Sequence, residues 1–128
     1  MPKCILIADD SAPVRAIVRG FLESQAGFEV CGEAIDGVDA IEKAKELKPD
    51  LIILDLAMPR LNGAEAANVL KRMMPDVPII LFTMYEEVMV KSRASAVGVD
   101  VVLSKSDGMS QIMTHVQHLL GVASDKTA

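Results

Sequence analysis

The sequence has no excess of positive charge, few cysteines and no long hydrophobic run, and each shortage closes off a class of function. Lysine and arginine number 13 against 18 aspartates and glutamates, a formal net charge of −5. A domain of that sign has no electrostatic footprint for a phosphate backbone, so direct nucleic-acid binding is not expected. No apolar stretch approaches the roughly 20 residues that a bilayer-spanning helix needs. The residues ahead of Asp9 form one short strand-like run rather than a signal peptide. A cytoplasmic location without membrane contact is therefore expected. The two cysteines, Cys4 and Cys31, form no C-x-x-C and no metal-ligand spacing. Each falls in an expected strand, so both read as reduced core thiols of a cytosolic protein.

What is present is a sizeable core. Hydrophobic residues make up 51% and charged residues 24% of 128 positions, which suits one folded domain and not a disordered chain. Strand-like runs alternate with helical stripes. Strands are expected over 3–8, 28–33, 51–54, 79–82 and 101–103, the second alternating Phe28 and Val30 with Glu29 like a sheet edge. The first helix starts near Ser11 with Pro13 in its first turn and carries Val14, Ile17, Val18, Phe21 and Leu22 at helical spacing, ending at Gly27. Asp36-Gly37 opens a second, with Ala40, Ile41, Ala44 and Leu47 inward. A third spans 63–73, with Ala66, Val69, Leu70 and Met73 inward. A fourth, over 87–97, has no clean face, and Gly98 closes it. A fifth, over 110–120, is amphipathic through Ile112, Met113, Val116, Leu119 and Leu120. Residues 1–121 then form one domain, and 122–128 a disordered tail or the start of a linker.

Alternating β and α elements with continuous aliphatic strands predict an α/β fold: one five-stranded parallel sheet with helices on both faces. Right-handed crossovers and the order 2-1-3-4-5 place strands one and three side by side, with the ligand crevice at their carboxyl ends. Two acids, Asp9 and Asp10, follow the first strand, and Asp55 follows Leu51-Ile52-Ile53-Leu54. Three carboxylates at one crevice repel one another unless a cation lies between them. Thr83 and Lys105 end strands four and five, bringing a hydroxyl and a cation to the same rim.

The ordered set of Asp9-Asp10, Asp55 with Pro59 and Gly63, Thr83 and Lys105 resembles the receiver domain of bacterial two-component response regulators. The stretch around Thr83 and Lys105-Ser106-Asp107 looks most like receivers that carry a LuxR-type DNA-binding domain. The resemblance covers residues 3 to about 121. It implies that Asp55 is the phosphoacceptor and that Mg²⁺, or Mn²⁺ in its place, is held by Asp10, Asp55 and the backbone carbonyl of Ala57. Asp9 would act mainly through an intervening water, Lys105 would pair with a phosphoryl oxygen, and Thr83 would hydrogen-bond another. The implied partner is a sensor histidine kinase or a histidine phosphotransfer protein. Phosphorylation could drive homodimerisation, and would shift the face of the fourth helix, fifth strand and fifth helix to control an output such as transcription. Such a domain is not an enzyme with a separate substrate, although it catalyses phosphoryl transfer to its own aspartate.

Three departures from the family pattern stand out. Val102 stands where an aromatic residue usually couples the lysine to the threonine, and Ser106 follows the lysine where proline with a cis peptide is common. Ala57 and Tyr85 occupy the two positions that tune aspartyl-phosphate lifetime. Alanine cannot orient an attacking water and Tyr85 can shield phosphorus, so slow self-dephosphorylation is expected. His115 and His118, three apart, lack a third ligand and read as surface residues, while Met84 and Met89 could serve an adaptable partner surface. Three rival readings are weaker. A haloacid-dehalogenase-like phosphatase needs a general acid two residues after its nucleophile, where Ala57 stands. An FMN module needs a Ser/Thr/Gly-rich phosphate loop where Asp9-Asp10 lies. A pseudo-receiver working only as a binding surface is at odds with the intact acids and lysine, though the missing aromatic favours it.

Overall fold

Strands form where short apolar runs, continuous in the middle of the sheet and alternating at its edge, have to be covered. In the computed structural model, which describes residues 2–83, 98–104 and 109–121, five runs do so. They are β1 (Lys3–Ala8), β2 (Phe28–Ala34), β3 (Leu51–Leu54), β4 (Ile79–Thr83) and β5 (Val101–Ser104). All pair in parallel, in the order β2-β1-β3-β4-β5. The described helices are α1 (Ala12–Glu23), α2 (Gly37–Leu47), α3 (Gly63–Met73) and α4 (Met109–Leu120). The helix expected over 87–97 and the tail expected over 122–128 lie outside the described residues.

β3 shows why the runs are continuous rather than alternating. Leu51 and Ile53 face a core shared with Val18 and Leu22 of α1 and with Ile112 and Val116 of α4. Ile52 and Leu54 face the opposite core, with α2 and α3. That second core is rich in alanine: Ala40 and Ala44 of α2 meet Ala66 and Ala67 of α3 on the sheet. Small side chains let both helices lie close to the strands, while the other face is filled by larger ones. Burial of each large aliphatic contributes about 1.5–3 kcal/mol.

Three helices begin beside the carboxyl ends of strands, and each is capped. The Ser11 hydroxyl accepts from the Val14 N–H at 3.4 Å, and the Asp36 carboxylate from the Asp39 N–H at 2.8 Å. Asn62 and Glu65 form a reciprocal capping box at α3. β2 is an edge strand, as its alternation suggests.

Some inward assignments are corrected. Ile17 is 59% exposed and Val69 is 37% exposed. At 100° per residue, Ile17 lies about 120° from the mean direction of Val18 and Leu22, and Val69 about 110° from that of the buried α3 residues. Met73, about 70° away, is half-buried, and Ala67 takes the inward place. The cysteine expectation is corrected too. Cys4 and Cys31 are joined in a disulfide, with Cα atoms 5.4 Å apart. Ile5 pairs with Val30 but Leu6 with Gly32, so Cys31 is an extra residue bulged out of β2 beside β1. Twenty-seven positions of sequence separate two thiols that strand order makes neighbours.

Candidate functional site

β1 and β3 are adjacent and in register up to Ala8 and Leu54, so the next residue of each leaves the sheet at the same level. The Asp55 N–H donates to the Ala8 carbonyl at 2.8 Å, and the Asp9 N–H to the Ala34 carbonyl at 3.0 Å. These bonds carry the ladder one step beyond the strands and fix where both acids emerge. Asp9, Asp10 and Asp55 each offer a carboxylate oxygen, and these oxygens all lie within 4.8 Å of one another. Asp9 (3% exposed) and Asp55 (5%) are buried, while Asp10 is exposed to solvent. Asp9 Oδ1 also accepts from the Ser11 N–H at 2.9 Å.

The loop from Asp55 to Asn62 is shaped by close backbone approach. A Cβ on Gly63 would stand 2.2 Å from the Asp55 carbonyl oxygen, and one on Gly37 would stand 2.1 Å from that of Leu61. Glycine at both places lets the loop pass between β3 and α2. The Gly63 N–H donates to Leu56 O at 2.9 Å and the Gly37 N–H to Leu61 O at 3.0 Å. Met58 is buried against the α2 and α3 core, which leaves Ala57 exposed at the rim. Arg60, with φ 65°, lies in the left-handed region and ion-pairs with Asp36. The Arg60 guanidinium, and then the Asp39 N–H, hold the Asp36 carboxyl below its usual range.

Thr83 ends β4 fully buried, in register with Ser104 of β5. Val102 is half-buried against the α2 and α3 core. Lys105, Ser106, Met84, Tyr85 and Met89 lie outside the described residues. His118 is exposed and His115 half-buried on α4. Sequence reasoning missed two arginines. Arg60 braces the loop that follows Asp55, and Arg15 donates to the Asp9 carbonyl at 2.6 Å. Neither belongs to a motif, because each meets a partner set by the fold.

Three oxygen-donor acids in one crevice suit a hard divalent cation such as Mg²⁺, which takes oxygen ligands and is commonly held by one or two carboxylates. Among the described residues no helix is long and apolar enough to cross a membrane.

Residues 5–117 match the family described as response regulator receiver domain. The response regulator protein VraR of Staphylococcus saprophyticus is 40% identical over 112 residues, covering 88% of this chain and 54% of that protein. The chain thus spans about half the length of the curated relatives it matches. The response regulator domain of Thermotoga maritima CheB superposes with a TM-score of 0.87 at 29% identity, over 97% of this chain and all of that one. A LuxR-family two-component response regulator from Aurantimonas superposes with a TM-score of 0.90 at 26% identity, over 94% of this chain and 86% of that one.

Proposed function

The chain belongs to the response regulator receiver domain family, and from that premise we propose that it is a phosphorylatable signalling domain with Asp55 as phosphoacceptor. The observation that carries the proposal is the convergence of Asp9, Asp10 and Asp55 at the carboxyl ends of two neighbouring strands. Asp10, Asp55 and the Ala57 carbonyl would hold Mg²⁺, or Mn²⁺, with Asp9 supporting through a water. When bound, the ion offsets the repulsion between an anionic nucleophile and an anionic phosphoryl donor.

The chemistry is carboxylate nucleophilic catalysis. An Asp55 oxygen attacks the phosphorus of a phosphohistidine on a sensor kinase or a phosphotransfer protein. The new P–O bond forms as the P–N bond breaks, and the imidazole leaves with the electron pair. Asp55 is suited to this role because its carboxylate sits at the mouth of a rigid, fully packed strand. Thr83, buried at the end of the next strand, would donate its hydroxyl to a phosphoryl oxygen, and Lys105 would pair with another. The added charge would then shift the population of the face that includes β5 and α4. Residues 1–121 would be the receiver of a cytoplasmic regulator. Transcription is the output proposed, through a separate domain.

The test is intact mass after incubation with Mg²⁺ and a small acyl-phosphate donor. A single phosphoryl adduct that needs Mg²⁺ and disappears in Asp55→Asn is expected. No adduct, with Mg²⁺ binding shown separately, would replace this reading by that of a module signalling through binding alone.

A further inference from the structure

The loop that presents Asp9 and Asp10 is gripped from outside the acid cluster. We infer that Arg15 is a positioning residue of this cluster, and that its hold on the Asp9 carbonyl raises the divalent-cation affinity of the site. The inference rests on the receiver reading above.

Arg15 lies on α1 and reaches back to the end of β1, where Nη1 donates to the Asp9 carbonyl oxygen at 2.6 Å. That oxygen belongs to the peptide unit joining Asp9 to Asp10. The peptide unit is planar, so holding its oxygen sets the direction in which the Asp10 Cα leaves. Asp10 is the exposed acid of the three and has no strand ladder to orient it. The Asp9 N–H and carboxylate are tied to Ala34 and Ser11, and the carbonyl held by Arg15 adds a further anchor to this turn.

The arm itself is braced. Arg15 is only 14% exposed, and its Nε donates to Glu33 Oε1 at 2.9 Å. Glu33 also receives Arg19 Nη1, while Arg19 Nη2 donates to the Val30 carbonyl. Charge and orientation pull in opposite directions here. A guanidinium near the acids disfavours a second cation, although the Glu33 carboxylate offsets it. Orientation favours binding, since the carboxylates are held where a cation can bridge them. Loss of a group that orients metal ligands from behind commonly costs about 10–100-fold in affinity, so orientation is the effect expected to win.

Calorimetric titration with Mg²⁺ separates these. Arg15→Met should bind Mg²⁺ roughly tenfold more weakly than wild type, and Arg15→Lys, which can return one donor to the carbonyl, should recover part of the loss. Arg19→Met, which also loses a Glu33 contact but never touches Asp9, should keep wild-type affinity. Tighter binding by Arg15→Met would show that its charge dominates and would overturn the inference. So would unchanged affinity accompanied by a lower melting temperature, the mark of a merely structural arm. If Arg15→Met does not fold, Arg15→Gln carries the same comparison. Wild-type protein that does not bind Mg²⁺ would overturn the metal-site reading together with this one, whereas normal wild-type binding with an unaffected variant would overturn this one alone.

Discussion

Arg60 grips the buried carboxylate of Asp36 with two donors, Nε at 2.7 Å and Nη2 at 3.0 Å, across 24 positions of sequence. Asp36 at the same time caps α2 through the Asp39 N–H. One carboxylate thus joins the start of α2 to the loop that follows Asp55. The left-handed backbone at Arg60 is the local strain this contact holds in place.

The pair should make stability fall in acid. The Asp36 carboxyl in the folded protein lies below its ordinary value, chiefly through the Arg60 hydrogen bonds. Its contribution is therefore full above the unfolded-state value, about 3.9, and is lost as pH falls through the lower folded value. Asp36→Asn should melt below wild type at neutral pH, with the gap closing below about pH 4. A gap unchanged at about pH 3 would exclude the carboxylate as its source.

Gly63 should tolerate no side chain. Gly63→Ala would press a Cβ to 2.2 Å from the Asp55 carbonyl oxygen, and backbone rather than a flexible side chain must yield. A loss of about 2–3 kcal/mol in urea unfolding is expected. Gly20→Ala on the exposed side of α1, where nothing lies within 4 Å, should be neutral or stabilising by up to about 1 kcal/mol.

The Cys4–Cys31 bond closes a span of 27 positions between β1 and β2. In the chain-entropy account, opening it costs about 3–4 kcal/mol. Thermal unfolding with and without a thiol reductant should show the difference, and Cys31→Ser should match the reduced protein. Equal melting temperatures in all three would show that the bond adds no stability.

Under the proposed function, Ala57 would govern the lifetime of the acyl phosphate. It is exposed on the loop beside Asp55 and has no group to orient water. Ala57→Asn should shorten the half-life of the phosphorylated protein several-fold, as followed by intact mass. Fast decay in wild type that this substitution leaves unchanged would refute the role.

Strand positions and the acids at their ends can be read directly because their signals are local. Leu51 to Leu54 is buried on both faces, so four consecutive aliphatics announce a central parallel strand and Asp55 follows at its mouth. Once five such runs alternate with helices, handedness rules leave few orders, and the observed one brings Asp9 and Asp55 together. Helix faces are less legible. In α1 and α3, Ile17 and Val69 have the spacing of core residues but sit at the margin of the stripe, and burial there depends on where the neighbouring elements end.

The contacts that join residues distant in sequence are different in kind. Arg15 with Glu33, Arg60 with Asp36 and Cys4 with Cys31 involve side chains whose partners lie 18, 24 and 27 positions away. No periodicity marks them. The amino-acid order suffices for the α/β class and for placing an acid at the mouth of each of two strands, and narrows the strand order to a few, because burial of apolar runs and crossover handedness decide these. Which arginine braces which loop, and which thiol meets which, is decided only by the tertiary structure, since such a pair forms only where strand adjacency, a bulge and a side chain's reach coincide, within about 3 Å for a hydrogen bond.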